Sequence, residues 1–258
     1  MQRCDGDLAL LFERVGDYPV PVCANFLASL ANVETVFERD LSGIRACMER
    51  GLGSSLKARV VEEGPCQEVV INRGIDLEKN FPVLFHAHGD GGKFITGGVV
   101  LCRDSEKGVH NASFHRLQLL GADRTAINLD WGRHLRFLYE KAQGQGKPLE
   151  IAVVIGGDLA LTYAACTMGS QVPLERDEME VASGIRGEPL ELVACKSVNL
   201  SVPAEAEIVL EGEIRPDETV QEGPFIEFLG LHSEVGPAPV VRIKTVTHRQ
   251  DPIYYAIC

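Results

Sequence analysis

The chain has 258 residues, 45% apolar and 24% charged, which is enough for a full hydrophobic core in one large or two modest domains. Its formal charge of −12 and pI near 5.1 argue against a nucleic-acid partner and against an anionic membrane surface, since both call for a basic face. No apolar run approaches the roughly 18 residues of a membrane span, no signal-peptide segment opens the chain, and the eight cysteines are scattered without a C-x-x-C pair, so a cytoplasmic protein with reduced thiols is expected.

The first 60 or so residues read as α/β. Leu8-Ala-Leu-Leu-Phe12 predicts a short buried strand, and Pro19-Val-Pro-Val-Cys23 excludes helix because two prolines remove donors and restrict their neighbours. Helical periodicity follows over 33–37 and 41–48, closed by Gly51 and Gly53. From about Glu68 strands and turns take over: 94–102 predicts a strand, 104–108 a polar turn ending in glycine, and 110–119 the returning strand of a hairpin. Asp130 is placed to cap a helix carrying Leu135, Leu138 and Ala142; 149–155 predicts a buried strand, and Asp158 caps a helix to about Cys166. A further helical stretch runs from near Glu178 to Ile185. In the last third, 206–214 predicts a strand and 241–247 an alternating, half-buried one. The fold class is α+β: an α/β region over 1–75, then an antiparallel, barrel-like β domain with inserted helices over 76–258.

Several residues could carry chemistry. In Asn111-Ala-Ser-Phe-His-Arg116, strand alternation puts Asn111, Ser113 and His115 on one face and Arg116 on the other. A bulge, or a cavity straddling the strand edge, is needed for Asn111 and Arg116 to serve one ligand; otherwise this is a solvent-facing polar strand. His134 falls in the first turn of its helix, where free N–H groups and the dipole favour an anion, and Arg133 beside it adds charge for a phosphate. A surface histidine near a helix start reads the same way. Glu178 also sits in a first turn, where carboxylates are common for dipole reasons alone. An Asn oxygen, a His nitrogen and a Glu oxygen would nevertheless suit manganese or magnesium bridged to a phosphate.

Glu222 and Glu227 flank Gly223-Pro224-Phe225-Ile226, a break that can turn both carboxylates into one cavity. With an arginine between them, one stays ionised while the other, less solvated, has a raised pKa and keeps a transferable proton. Without that arginine they are a solvated loop. His88-Gly-Asp-Gly-Gly92 reads as a turn, and neither a P-loop, a dinucleotide fingerprint nor a G-x-S-x-G elbow is present.

Together these residues resemble the UbiD family of carboxy-lyases, which use prenylated FMN. The resemblance runs through Pro82-Val-Leu-Phe-His-Ala-His-Gly-Asp90, Phe94-Ile-Thr-Gly-Gly-Val-Val100, Arg186-Gly-Glu-Pro-Leu-Glu-Leu-Val193, Ala204-Glu-Ala-Glu-Ile-Val-Leu-Glu-Gly-Glu-Ile214 and Glu222-Gly-Pro-Phe-Ile-Glu227, and covers nearly the whole chain. It implies a split β-barrel of the flavin-reductase type over 76–258, after a partial N-terminal domain. It implies reversible, non-oxidative loss of CO2 from an aromatic or α,β-unsaturated acid.

By the same resemblance Asn111, His134 and Glu178 hold a divalent metal, Mn2+ or Mg2+, that bridges the cofactor phosphate. Ser113, Phe114, His115, Arg116 and Arg133 line the cofactor, and Thr167, Met168 and Ser170 lie around its phosphate and a potassium ion. Arg116, Glu222 and Glu227 form the catalytic set, with Glu227 as proton donor and Arg116 orienting the substrate carboxylate. Ile226 departs from a frequent family glycine and narrows the pocket beside Glu227. A C-terminal α/β domain, which brings a phosphate-contacting lysine, a lid and dimer contacts, is absent from this sequence. Expected partners are therefore a small carboxylic acid, a prenylated-FMN synthase as cofactor source, and either a second copy of the complete protein or a subunit carrying the missing domain. A flavin- or phosphate-binding module dependent on such a subunit is the alternative reading, and a purely structural paralogue a third.

Overall fold

The computed structural model describes residues 8–53, 56–167, 172–227 and 229–257. The chain begins with β1 (Leu10–Phe12), β2 (Val22–Ala24), α1 (Leu30–Phe37), α2 (Leu41–Gly53), β3 (Arg59–Val60), β4 (Val69–Ile71) and the single turn α3 (Leu77–Asn80). Next come β5 (Phe94–Ile95), β6 (Gly98–Arg103), β7 (His110–Phe114), β8 (Leu117–Leu119), β9 (Arg124–Ile127), α4 (His134–Gly144), β10 (Leu149–Ile155), α5 (Leu159–Cys166) and α6 (Glu178–Arg186). The last third holds β11 (Glu191–Ala194), β12 (Ser201–Pro203), β13 (Ile208–Glu222), β14 (Gly236–His248) and β15 (Tyr254–Tyr255).

The nine-stranded sheet runs β5-β8-β9-β14-β13-β10-β6-β7, with β4 added on β14. Its two ends, β5–β8 and β6–β7, are halves of one bent hairpin, because β5 leads straight into β6 and β7 into β8. The sheet therefore closes on itself as the expected barrel. Between the pairs Val99↔Phe114 and Ile95↔Leu117, four residues advance on one strand against three on the other. This one-residue slip is a bulge, and it breaks the predicted 110–119 strand at His115 and Arg116.

Alternation assigns the two faces. Val100, Ile151, Val153, Ile155, Ile208 and Leu210 fill the barrel core together with Leu135, Leu138 and Tyr139 of α4. Their neighbours Val99, Leu101, Ala152, Val154 and Val209 face outward into a second cluster with α5, α6, β11 and β12. Two hydrophobic layers thus share one sheet. At about 25 cal/mol per Å2 of apolar surface, each fully buried Ile or Val contributes roughly 1.5–3 kcal/mol.

Several local expectations need correction. The first strand covers only Leu10–Phe12, and Leu11 and Phe12 are exposed rather than buried, because β1 is the edge of a small sheet, β1-β2-β15. Asp130 does not cap α4: Arg133 is the N-cap residue, and Asp130 only accepts its main-chain N–H at 3.5 Å. Gly51 and Gly53 lie inside α2, not beyond it. The 206–214 strand runs on to Glu222, and 241–247 is mostly buried, with only Arg242 and Lys244 exposed. Asp158 does cap α5, accepting from Ala160 N at 2.7 Å, and Asp177 caps α6, accepting from Met179 N at 2.8 Å.

The six described cysteines, Cys23, Cys47, Cys66, Cys102, Cys166 and Cys195, are free thiols. No helix among the described residues is long and apolar enough to cross a membrane. From the N-terminal region, α2 packs on α6, β3 pairs with β11 and β4 with β14. The α2–α6 contact is close at Gly51, where an added Cβ would lie 2.5 Å from Ile185 Cγ1 and 2.9 Å from the Val181 carbonyl. Gly51→Val is expected to lower unfolding stability by about 1–3 kcal/mol, read from urea denaturation; an unchanged midpoint would refute this packing.

Candidate active site

Two polar groups meet at the break in the hairpin. The first gathers around Asn111, on the sheet face that Val100 and Cys102 share. Asn111 Nδ2 donates to Glu178 Oε1 at 3.0 Å, and His134 Nδ1 lies 3.7 Å from the same oxygen. Glu178 is the first residue of α6 and His134 the first of α4, so two helix N-termini converge on this strand. A neighbouring contact locks the approach: Asp177 Oδ2 accepts from both the main chain (3.1 Å) and Nδ1 (2.8 Å) of His110. Burial pushes the Glu178 carboxyl upward, against the bonds from His134 and Asn111. Its second oxygen is buried with no hydrogen-bond partner among the described residues, an arrangement that costs free energy unless something else meets it.

Ser113 and His115 continue the line. Ser113 Oγ donates to Asn111 Oδ1 at 3.2 Å and lies 3.1 Å from His115 Nε2. His115 Nδ1 donates to the Asn128 carbonyl at 2.8 Å. Burial pushes the His115 pKa down to about 4, so the ring is neutral and Nε2 is an acceptor. Ser113 then has one proton and two claimants, Asn111 Oδ1 and His115 Nε2.

The second group is built on Arg116. Its Nε and Nη2 donate to Glu222 Oε1 and Oε2 at 2.8 and 3.0 Å, a bidentate pair, while Nη1 donates to Glu227 Oε1 and Nη2 also to Ser233 Oγ at 3.1 Å. Burial opposes the guanidinium charge, but the Glu222 and Glu227 carboxylates outweigh it and raise the Arg116 pKa. The guanidinium also sits 5.3 Å from the Phe225 ring. The two carboxylates differ sharply: the Glu222 side chain is 4% exposed and Glu227 is 43% exposed. The less solvated one is the one clamped by two of the three guanidinium nitrogens, Nε and Nη2. Glu227 Oε2 has no hydrogen bond among the described residues.

Asn128 joins the groups. Its carbonyl holds His115 and its Nδ2 approaches Glu222 Oε2 at 3.5 Å, so a polar chain runs from Glu178 to Glu227 through Asn111, Ser113, His115, Asn128, Glu222 and Arg116. Of the other predicted residues, Arg133 opens α4 and its charge acts on both His115 and Cys166. Phe114 packs toward the outer hydrophobic cluster. Thr167 closes α5, its Oγ1 donating to the Ala164 carbonyl at 2.5 Å. Met168 and Ser170 lie outside the described residues. No group of three His, Cys, Asp or Glu side chains forms a metal cluster among the described residues.

Sequence reasoning missed Asn128, Gln118, Ser233 and Asp90. Gln118 bridges two glycine segments, Nε2 donating to the Gly91 carbonyl at 3.0 Å and Oε1 accepting from Gly223 N at 2.9 Å. The one available signal was Asp90-Gly-Gly92, where glycine is required because a Cβ on Gly91 would fall 2.0 Å from the Gly223 carbonyl.

Comparison with known proteins identifies the family. The family model for UbiD, described as the 3-octaprenyl-4-hydroxybenzoate carboxy-lyase Rift-related domain, matches residues 59–258. The chain belongs to the UbiD family. It is 36% identical over 98% of its length to an uncharacterized protein in the cooM 5'region of Rhodospirillum rubrum, covering 55% of that relative. It is 40% identical over 78% of its length to the anhydromevalonate phosphate decarboxylase of Methanosarcina mazei, covering 45% of it. Among solved structures, an evolved dimeric form of the UbiD-class enzyme HmfF from Pelotomaculum thermopropionicum, in complex with prFMN, superposes with a TM-score of 0.91 at 39% identity, over 96% of this chain and 58% of that one. The chain thus spans about half the length of the curated relatives it matches.

The His115 shift has a pH consequence. The group is held down from 6.5 to about 4, so its neutral burial contributes stability above pH 6.5 that is lost as pH falls toward 4. The loss is on the order of 3 kcal/mol. Urea titrations at pH 7 and pH 4.5 are expected to show this extra fall for the wild type and not for His115→Gln; equal falls would refute it.

Proposed function

We propose that the protein is a UbiD-type carboxy-lyase that removes CO2 from an aromatic or α,β-unsaturated acid, reversibly and without net oxidation. The observation that carries this reading is the Arg116 guanidinium shared between a buried, bidentate Glu222 and a half-exposed Glu227. A purely structural ion pair has no use for the third member, since Glu222 alone satisfies the charge. Prenylated FMN, when bound, would supply the dipole that takes up the electrons of the breaking C–C bond.

The geometry supports the following contributions from the protein's own residues. Arg116 remains a cation, with its planar fork aimed by Glu222, and orients the substrate carboxylate for loss. Glu227, with one oxygen uncommitted, delivers the proton that replaces CO2 and takes it back in the reverse direction. Glu222 keeps the guanidinium fixed and Asn128 ties this pair to His115.

For the metal, the donor set fits a hard to borderline divalent cation such as Mn2+ or Mg2+. Glu178 Oε2 is buried without a partner among the described residues, and because the one Ser113 proton can go to His115 Nε2 instead, Asn111 can offer its side-chain oxygen to such an ion. Asn111, His134 and Glu178 would hold the ion and, with Arg133, the cofactor phosphate; Ser113, Phe114, His115 and Thr167 would border the cofactor. A potassium ion near 167–170, a cofactor synthase as supplier, cytoplasmic residence and assembly with a second copy or with a subunit carrying a C-terminal α/β domain belong to the same reading.

Decarboxylation is to be screened on a panel of aromatic and α,β-unsaturated acids, vanillate and cinnamate among them, using full-length protein co-expressed with a prenylated-FMN synthase. Glu227→Gln is expected to keep bound cofactor by absorbance and mass and to lose at least about a hundredfold in turnover and in solvent proton exchange. Unchanged exchange would refute the donor role. Glu178→Gln is expected to weaken Mn2+ binding at least tenfold, read by electron paramagnetic resonance, since even outer-shell partners of metal ligands are worth that much. Unaltered binding would remove Glu178 from the metal site.

A further inference from the structure

Among the described residues the Glu227 carboxyl is held by Arg116 alone, on a side chain that is nearly half exposed. Its position therefore depends on the main chain that carries it. That main chain is a short hairpin, closed by Ser233 N to the Phe225 carbonyl at 2.8 Å and by Glu227 N to the Leu231 carbonyl at 2.8 Å. Three contacts dock the hairpin on the segment 87–92. Gly91 N donates to the Pro224 carbonyl at 2.7 Å, Gln118 bridges Gly91 and Gly223, and Ile226 N donates to Asp90 Oδ1 at 2.8 Å.

The last of these stands out chemically. The Asp90 side chain has no exposed surface, and among the described residues the only basic group within ion-pair distance is His232 Nε2, at 3.8 Å. A buried carboxylate is retained at a cost unless its oxygens are met by hydrogen bonds. Here each oxygen meets a different main-chain N–H: Oδ2 takes Ala87 at 2.8 Å within its own turn, and Oδ1 takes Ile226, 136 positions away and one residue before Glu227. His232 belongs to the same hairpin, bridged to Ile226, and its ring lies against Gly89. Asp90 thus touches both arms of the hairpin and none of the three charged residues of the Arg116 group.

We propose that Asp90 is a positioning residue: it pins the Ile226 peptide to the 87–92 turn and so sets where the Glu227 carboxyl meets Arg116. The kinetic side of this inference rests on the decarboxylase reading above; the structural side does not. Asparagine cannot replace the aspartate. With a single carbonyl oxygen, an asparagine side chain could serve one of the two N–H groups and would turn an N–H donor toward the other. A loosening of about 1 Å at a proton donor can lower turnover by roughly a hundredfold.

The test compares Asp90→Asn and Asp90→Ala with Asp104→Asn in the cofactor-loaded, full-length protein. Asp104 is also a buried carboxylate accepting main-chain N–H groups, from Glu106 and Lys107, but in the turn between β6 and β7. Amide hydrogen exchange is expected to rise at least tenfold over 223–233 in the Asp90 variants, with 149–155 unchanged, and not to rise there in Asp104→Asn. On the panel acid turned over best, Asp90→Asn should lower kcat tenfold to a hundredfold at constant KM and enlarge the solvent deuterium isotope effect, because proton delivery has become slower. Asp104→Asn should leave the isotope effect alone.

Unchanged exchange over 223–233 would overturn the proposal, and so would loosened exchange with wild-type kcat and isotope effect. Should Asp90→Ala not fold, the isosteric Asp90→Asn carries the test. If the wild type itself turns over no acid on the panel, the decarboxylase reading fails, and hydrogen exchange alone decides whether Asp90 braces the hairpin.

Discussion

The site depends on a one-residue slip in a β-hairpin. Without it, 94–103 and 110–119 would form one regular ribbon, and the sheet would have two free ends. With it, the ribbon bends between Ile95 and Val99, its halves join opposite ends of the sheet, and the barrel closes. The bend also frees His115 and Arg116 from ladder pairing. His115 turns back to Ser113 and the Asn128 carbonyl, and Arg116 turns forward to Glu222 and Glu227. Closure of the fold and divergence of the two functional groups are one event.

Charge is arranged with similar economy. Two helices, α4 and α6, point their N-termini at Asn111, and a positive dipole end there would by itself favour anions. Glu178, the first residue of α6, sits in that field with one oxygen on Asn111 and the other without a partner among the described residues. On the other side of the break, Arg116 faces two glutamate side chains, and only one of them is taken out of water. That asymmetry separates a buried counterion from one that meets solvent.

Elements defined by local chemistry were legible in the sequence. The buried run of 149–155 and the cap at Asp158 rest on an unbroken apolar stretch and on a side-chain oxygen near free N–H groups. The grouping of Arg116 with Glu222 and Glu227 was legible only through family resemblance, because 106 and 111 residues separate the partners and no periodicity links them. The slip at 115–116 was not legible. It arises where two backbones meet, and side-chain patterns carry no record of that. Asp130 misled because an aspartate shortly before a helix can bond to its own turn instead of capping. Asp90 was hidden in a polar glycine turn that differs little from a solvated one.

Gly97 shows how the bend is supported from outside. A Cβ there would fall 2.5 Å from the Tyr255 carbonyl, and next to it Thr96 Oγ1 donates to the Ile257 carbonyl at 2.6 Å. Strand β15 therefore rests on the crease of the hairpin with no side chain between them to take up movement. Protein interiors packed this closely transmit displacement instead of absorbing it. A side chain at position 97 would therefore have to push apart the strand and the crease that lies across from His115 and Arg116.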